Sequence, residues 1–142
     1  MSLSPRAIEI VKVTAAPIKI NAEVITRRMY EILFADFPET KALFEGSDPD
    51  QHKKLAAVVA AYAANIENLE GLDTAVEKIA VAHVNKNIKP EHYPMVGASI
   101  LKAIKEVLGD TANDEVIDAW KEAYYFLAEI LIAREKELYT KA

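Results

Sequence analysis

Apolar residues recur at spacings of three and four along nearly the whole of the 142-residue chain, and only four glycines and six prolines interrupt them. That spacing lines one face of a helix. No segment alternates strictly between hairpin signals, so the sequence predicts an all-α chain without strands. The expected helices are Pro5–Ala15, Ile18–Ala35, a short one at Pro38–Phe44, then Asp50–Leu69, Leu72–Asn87, Pro90–Leu108 and Asp114–Thr140. Pro38 and Pro90 suit first-turn positions, where a missing N–H costs nothing, and Gly71 and Gly109 suit left-handed caps. Asp48, Asp50 and Asn113 have side chains that cap helix starts, and Glu45 to Pro49 is expected to form the one ordered loop of note.

The length suits a single domain over residues 1–142. At 15.7 kDa, area scaling buries roughly two-thirds of the chain's surface on folding, enough for one core and one enclosed ligand. A net charge of −5 argues against nucleic-acid or anionic-lipid partners. The absence of cysteine removes disulfides, zinc–thiolate sites, iron–sulfur clusters and thiol nucleophiles. Any metal must be held by histidine or carboxylate. The N-terminus lacks an apolar stretch behind a basic start, and the longest apolar run, Leu55 to Ala64, is too short to span a bilayer, so a cytoplasmic protein without membrane insertion is expected. Gly46, Gly71, Gly97 and Gly109 are too dispersed to build a phosphate-cradling loop, which excludes a nicotinamide–flavin reductase within this chain.

Several helix stripes carry a polar residue among aliphatics. Gln51 heads the row Leu55, Val58, Val59, Tyr62, Ile66, Leu69. His83 follows Val76, Ile79 and Ala80. Glu135 lies in the row Trp120, Tyr124, Leu127, Leu131, Leu138, and Tyr30 lies beside Thr26, Leu33 and Phe34. A buried polar group without a partner costs several kcal/mol or changes its protonation state. Each one alone could be a separately satisfied core group; together they suggest that they meet one another or a ligand.

A dinuclear carboxylate bundle needs Glu-x-x-His, but Pro49, Ala80 and Lys89 stand three residues before His52, His83 and His92. Glu91-His92 in a first helical turn has a structural reason to be there, since acid complements the helix dipole. No Gly-x-Ser-x-Gly elbow is present. What remains is a ligand gripped by one imidazole inside a helical pocket, with an amide and a phenol nearby, and haem on a proximal histidine fits that description. Phe44, Leu55, Val59, Val96, Ile100, Trp120 and Leu127 would serve equally as its apolar lining or as plain core.

The chain resembles, over essentially its whole length, the globin of the flavohaemoglobin family, and specifically its single-domain branch. The resemblance rests on RRMYEILFADFPE with Tyr30, ALF ending at Phe44, Gln51 fourteen residues before NIENL, AVAHVNKNIKPEHYPMVG with His83, and DAWKEAYYFLAEILIAREKELY with Glu135. It implies a three-over-three globin sandwich around haem b, with His83 as the iron ligand. Phe44 would pack on the porphyrin, Leu55 would close the distal side and Val96 would line the pocket. Tyr30 and Gln51 would face the bound gas, and Tyr93 with Glu135 would form a proximal relay. Such a relay fixes the imidazole tautomer and raises its basicity, which suits redox chemistry more than storage.

The resemblance therefore implies binding of oxygen and nitric oxide, with nitric oxide dioxygenation as the enzymatic expectation. Because this chain ends two residues after Thr140, re-reduction would fall to a separate reductase. An oxygen buffering or delivery protein without turnover, and a gas sensor, are the alternatives. The chain departs from the family pattern at Ala82, where a basic residue is common, and at His52, where proline is common. His52 lies about 100° around the helix from Gln51, and is expected to face solvent or the pocket rim.

Overall fold

The computed structural model of the chain describes residues 3–44 and 50–141. Among these the all-α expectation holds, with no strand and with five α-helices: α1 (Pro5–Asp36), α2 (Gln51–Ala64), α3 (Asp73–Asn85), α4 (His92–Leu108) and α5 (Asp114–Lys141). Short 3-10 turns occupy Pro38–Phe44, Leu69–Leu72 and Gly109–Thr111. No helix among the described residues is long and apolar enough to cross a membrane.

The first two expected helices are one. Pro17 lies inside α1 and does not end it. Proline deprives the carbonyl four residues back of its N–H and normally costs about 3 kcal/mol within a helix. Here that carbonyl belongs to Val13, which is 70% exposed, so water can replace the lost donor. On the opposite face the buried row Val11, Thr14, Ile18, Ala22, Ile25, Met29 and Leu33 continues unbroken past the proline. Each fully buried aliphatic in that row contributes roughly 1.5–3 kcal/mol, which outweighs one lost helical hydrogen bond. Ser4 starts the helix, its Oγ accepting from Ala7 N at 3.2 Å while its own N–H donates to Glu122 of α5 at 2.7 Å.

Helix α1 forms the spine against which α2, α4 and α5 pack, and α3 packs on α5. Two hydrogen bonds pin its buried face. Trp120 Nε1 donates to Thr14 Oγ1 at 2.9 Å, and Thr26 Oγ1 donates to the carbonyl of His52 at 2.7 Å, seating the first turn of α2. A smaller cluster of Ala80, Ile88, Tyr93, Ala128 and Leu131 joins α3, α4 and α5.

Helix α2 stops at Ala64, short of the expected Leu69, because the Asn65 side chain donates to Ala61 O at 2.8 Å and competes with the helical pattern. Helix α3 stops two residues before the expected Asn87. Asn87 takes φ 61°, and the N–H groups of Ile88 and Asn87 bond to His83 O (2.9 Å) and Val84 O (3.1 Å), a Schellman closure. The left-handed cap is thus Asn87; Gly71, expected in that role, has no positive φ. Gly109 does end α4 with φ 58°, but its ψ of −127° lies in the mirror-β region. Pro90 precedes α4 by one turn residue instead of opening it. Asn113 Oδ1 accepts from Val116 N at 3.0 Å as expected, whereas Asp50 occupies the cap position of α2 without a side-chain cap bond. Asp48 and the expected loop Glu45 to Pro49 lie outside the described residues.

Candidate functional site

Between α1, α2, α3, α4 and α5 lies a cavity of about 510 Å³. Its wall is overwhelmingly apolar, with Leu33, Val59, Ile100, Trp120 and Leu127 among the contributors. Of the residues singled out from sequence, Tyr30, Phe44, Gln51, Leu55, His83, Tyr93 and Val96 all line this one cavity. Glu135 stands just behind its wall.

His83 enters from the last turn of α3, where the Asn87 closure holds its backbone. Its Nδ1 lies 2.9 Å from Glu135 Oε2 and 2.9 Å from the Tyr93 hydroxyl, while that hydroxyl donates to the same carboxylate oxygen at 2.6 Å. Glu135 is only 3% exposed, so its charge is satisfied by these protein donors and not by water. An acid that accepts from Nδ1 fixes the proton there and leaves Nε2 as a bare lone pair. Among the described residues no protein group bonds Nε2, on a side chain that lines the cavity. Burial, and then the hydrogen bond and charge of Glu135, push the Tyr93 hydroxyl far above the usual phenol range. It therefore stays a donor at neutral pH.

On the other side of the cavity Tyr30 projects from α1. Burial pushes its hydroxyl up to about 12, and the nearby amide of Gln51, the first residue of α2, acts in the opposite direction. Its ring stacks edge-on with Phe44 at 5.2 Å between centroids and lies 5.9 Å from Phe34, so an aromatic corner fixes the phenol. Lys54, Lys78 and Lys86 also line the cavity. They place cationic groups beside an otherwise greasy opening.

Several residues that hold this arrangement carried no clear signal in the sequence. Tyr124 looked like ordinary core, yet its hydroxyl donates to the Tyr93 carbonyl at 2.7 Å and braces the first turn of α4. Tyr139 does the same for Ile88 O at 2.8 Å. Arg134, next to Glu135, forks onto Glu77 of α3 at 2.6 and 2.8 Å and ties the His83 helix to the Glu135 helix. Asn87 could have been found, since asparagine is the usual alternative to glycine at a left-handed cap.

His52 departs from expectation. It is half-buried and absent from the cavity wall, and its Nε2 is buried without a hydrogen-bond partner. The cause is the Thr26 bond to its carbonyl, which draws the first turn of α2 down onto α1. His92 accepts from Lys89 N at 2.9 Å through Nδ1, the local structural role that its position in a first turn suggested.

Among the described residues no group of three or more His, Asp or Glu is placed to hold a metal ion. The cavity offers the His83 imidazole and a large apolar volume, and His92, also on its wall, is engaged through Nδ1 by Lys89 N. Comparison with known proteins agrees with this picture. The globin family model matches residues 27–131. The chain is 49% identical to an uncharacterized globin-like protein of Aquifex aeolicus, with 98% of this chain and 99% of that one covered. It is 47% identical to a flavohemoprotein of Oceanobacillus iheyensis, of which it spans 35% of the length. Among solved structures it resembles an engineered carbene transferase made from a putative nitric oxide dioxygenase of Rhodothermus marinus (TM-score 0.94, 36% identity, 98% and 97% covered). A bacterial globin from Campylobacter jejuni also superposes (TM-score 0.86, 39% identity, 96% and 99% covered). An apolar helical cavity with the His83 imidazole oriented from behind is thus presented on the globin fold, and the chain belongs to the globin family.

Proposed function

We propose that the cavity holds haem b, with His83 Nε2 as the iron ligand, and that the protein binds oxygen and other diatomic gases and converts nitric oxide to nitrate when a separate cytoplasmic reductase supplies electrons. The donor set fits the group: the His83 Nε2, which no described residue bonds, an apolar volume in the range of cofactor sites, and lysines on the cavity wall to meet carboxylates. Bound haem would supply the iron at which diatomic gases bind and undergo one-electron chemistry.

The chain's own residues set the conditions for that chemistry. Glu135 and Tyr93 hold the Nδ1 proton of His83 and make Nε2 more basic. Phe44, Leu55 and Val96 line the cavity and would exclude water from the bound group. Tyr30, kept neutral by burial, would offer a phenolic donor to a gas held in the cavity, and Gln51 would add an amide donor. Both would slow escape of the gas.

The observation that carries this reading is the triangle of His83, Tyr93 and Glu135, with its 2.9, 2.9 and 2.6 Å edges. A protein that only stores oxygen gains little from so basic a ligand. The likeness to a putative nitric oxide dioxygenase and to flavohemoproteins supports the same choice. The test is an absorption spectrum of the purified protein and of His83→Ala, followed by rapid mixing of the oxygenated protein with nitric oxide. Haem uptake with a histidine-ligated spectrum, lost in the variant, and stoichiometric nitrate are expected. Failure to take up haem would overturn the cofactor; uptake with oxygen binding but no nitrate would leave oxygen buffering as the function.

A further inference from the structure

Helix α1 buries one face against α2, α4 and α5 and leaves the other bare. On the bare face Val13 is 70%, Ile20 80% and Val24 53% exposed, three of the five large hydrophobics that the described surface exposes most. With half-buried Pro17 between them they fall at spacings of four, three and four, a continuous apolar row within about 60° of arc and roughly 16 Å long at 1.5 Å per residue. A row of this kind on a helix of 32 residues is a seam, whereas single exposed apolar residues would need no explanation.

The charged residues that border the seam identify its occupant. A two-fold axis crossing α1 between Ile18 and Lys19 would lay a second copy of the helix antiparallel to it. Val13 then faces the other copy's Val24, and Pro17 faces its Ile20. Glu9 and Arg27 both lie on the same border, about 50° off the centre of the row, so each Glu9 comes beside the other copy's Arg27. Beyond them Arg6 stands opposite the other copy's Glu31. Glu9, Arg27, Arg6 and Glu31 are all exposed, and among the described residues Arg27 has no ion-pair partner. Arg6 and Glu31 are engaged only in exposed pairs, with Glu115 and Arg28, that yield readily to a better arrangement. A sequence that matches itself when reversed, apolar to apolar and acid to base, meets the requirement of a two-fold interface, where the same patch appears on both sides.

We propose that this face of α1 is a homodimer interface, in which two copies of the chain pair antiparallel through Val13, Pro17, Ile20 and Val24. The contact is a single helix pair, smaller than a standard protein interface, so the dimer is weak and depends on concentration. It leaves the cavity openings on both copies uncovered by its own elements, since none of the seam residues lines the cavity.

Sedimentation of the full chain, haem-loaded and unloaded, from micromolar to millimolar concentration tests the proposal. A monomer–dimer equilibrium is expected, weakened at least tenfold in Ile20→Asp with unchanged circular dichroism. Glu9→Arg alone should weaken the dimer, and combining it with Arg27→Glu should restore it. Because the chain has no cysteine, Val13→Cys and Val24→Cys proteins can also be mixed under oxidant; the mixed disulfide should form at least tenfold faster than either symmetric one. A monomer at every concentration, a dimer indifferent to Ile20→Asp, or faster symmetric cross-linking would each overturn it, as would a monomer that instead binds a different protein through this face.

Discussion

The Tyr93 hydroxyl and the Glu135 carboxylate stand 2.6 Å apart although 42 residues separate them in the chain, and the oxygen they share also lies 2.9 Å from His83 Nδ1. Two substitutions separate what the acid contributes as an acceptor from what it contributes as a charge. Glu135→Gln keeps an oxygen for both donors and should leave melting temperature nearly unchanged. It should slow nitrate formation with a supplied reductase, because the imidazole loses its anionic partner. Glu135→Leu strands the Tyr93 hydroxyl proton in a buried site and should cost about 1–3 kcal/mol of stability, with oxygen binding largely intact. Thermal melts and single-turnover mixing of both variants provide the check; equal nitric oxide consumption by Glu135→Leu and the parent would remove the proximal role.

Tyr30 occupies the opposite wall, its ring edge-on to Phe44 at 5.2 Å. If its hydroxyl donates to bound oxygen, Tyr30→Phe removes a charge-assisted hydrogen bond of about 1.5–3 kcal/mol. Oxygen should then leave the haem-loaded protein roughly 10- to 100-fold faster, as measured by stopped-flow displacement with carbon monoxide. An unchanged rate would mean that the phenol points elsewhere in the complex.

Four phenols are held neutral by burial: Tyr30, pushed up to about 12, and Tyr62, Tyr93 and Tyr124, pushed higher still. Unfolded tyrosines ionise near 10, so above that pH the unfolded chain holds fewer protons than the folded one, and stability falls as pH rises. The contribution is complete below about pH 10 and is lost as the pH climbs through the folded values; for Tyr30 alone the loss between about 10 and 12 is at most roughly 3 kcal/mol. Phenolate absorbance near 295 nm from these residues should therefore rise together with the loss of helical circular dichroism. A full phenolate signal from a chain that is still helical would contradict this.

What the sequence made legible was the set of inward-facing polar residues, because a polar side chain inside a row of aliphatics contradicts the row. Tyr30, Gln51, His83 and Glu135 all announced themselves in this way, and the structure gathers them around one cavity. Pro17 misled for the opposite reason: proline normally ends a helix, and only the exposure of Val13 and the continuous row beneath it show why this one does not. Tyr124 and Tyr139 were hidden because a buried aromatic ring reads the same whether its hydroxyl is idle or holds a distant carbonyl. His52 was misplaced because a helical wheel gives direction around one axis, and the Thr26 bond that turns this helix comes from another element.

Gly97 decides how closely α4 approaches α5. A Cβ built there would stand 2.8 Å from Tyr124 Cε2, with Cδ2 and the Tyr125 hydroxyl both at 3.2 Å. The Tyr125 hydroxyl is the end of a flexible side chain and can move. The Tyr124 ring cannot move as freely, since its hydroxyl is bonded to the Tyr93 carbonyl at 2.7 Å and its other edge lines the cavity. Gly97→Ala gains about 1 kcal/mol of helix propensity, but overpacking a filled site costs about 1–3 kcal/mol, so a net loss of about 1 kcal/mol is expected. For a chain of this size that lowers the melting temperature by roughly 3–5 °C. The displaced ring should also loosen the first turn of α4 and with it the Tyr93 hydroxyl, so the iron–histidine stretching band of haem-loaded Gly97→Ala should shift to lower frequency. Adding Tyr124→Phe removes the tether and should recover little, because the ring that collides is still there; Tyr124→Leu should relieve the clash and restore most of the lost melting temperature.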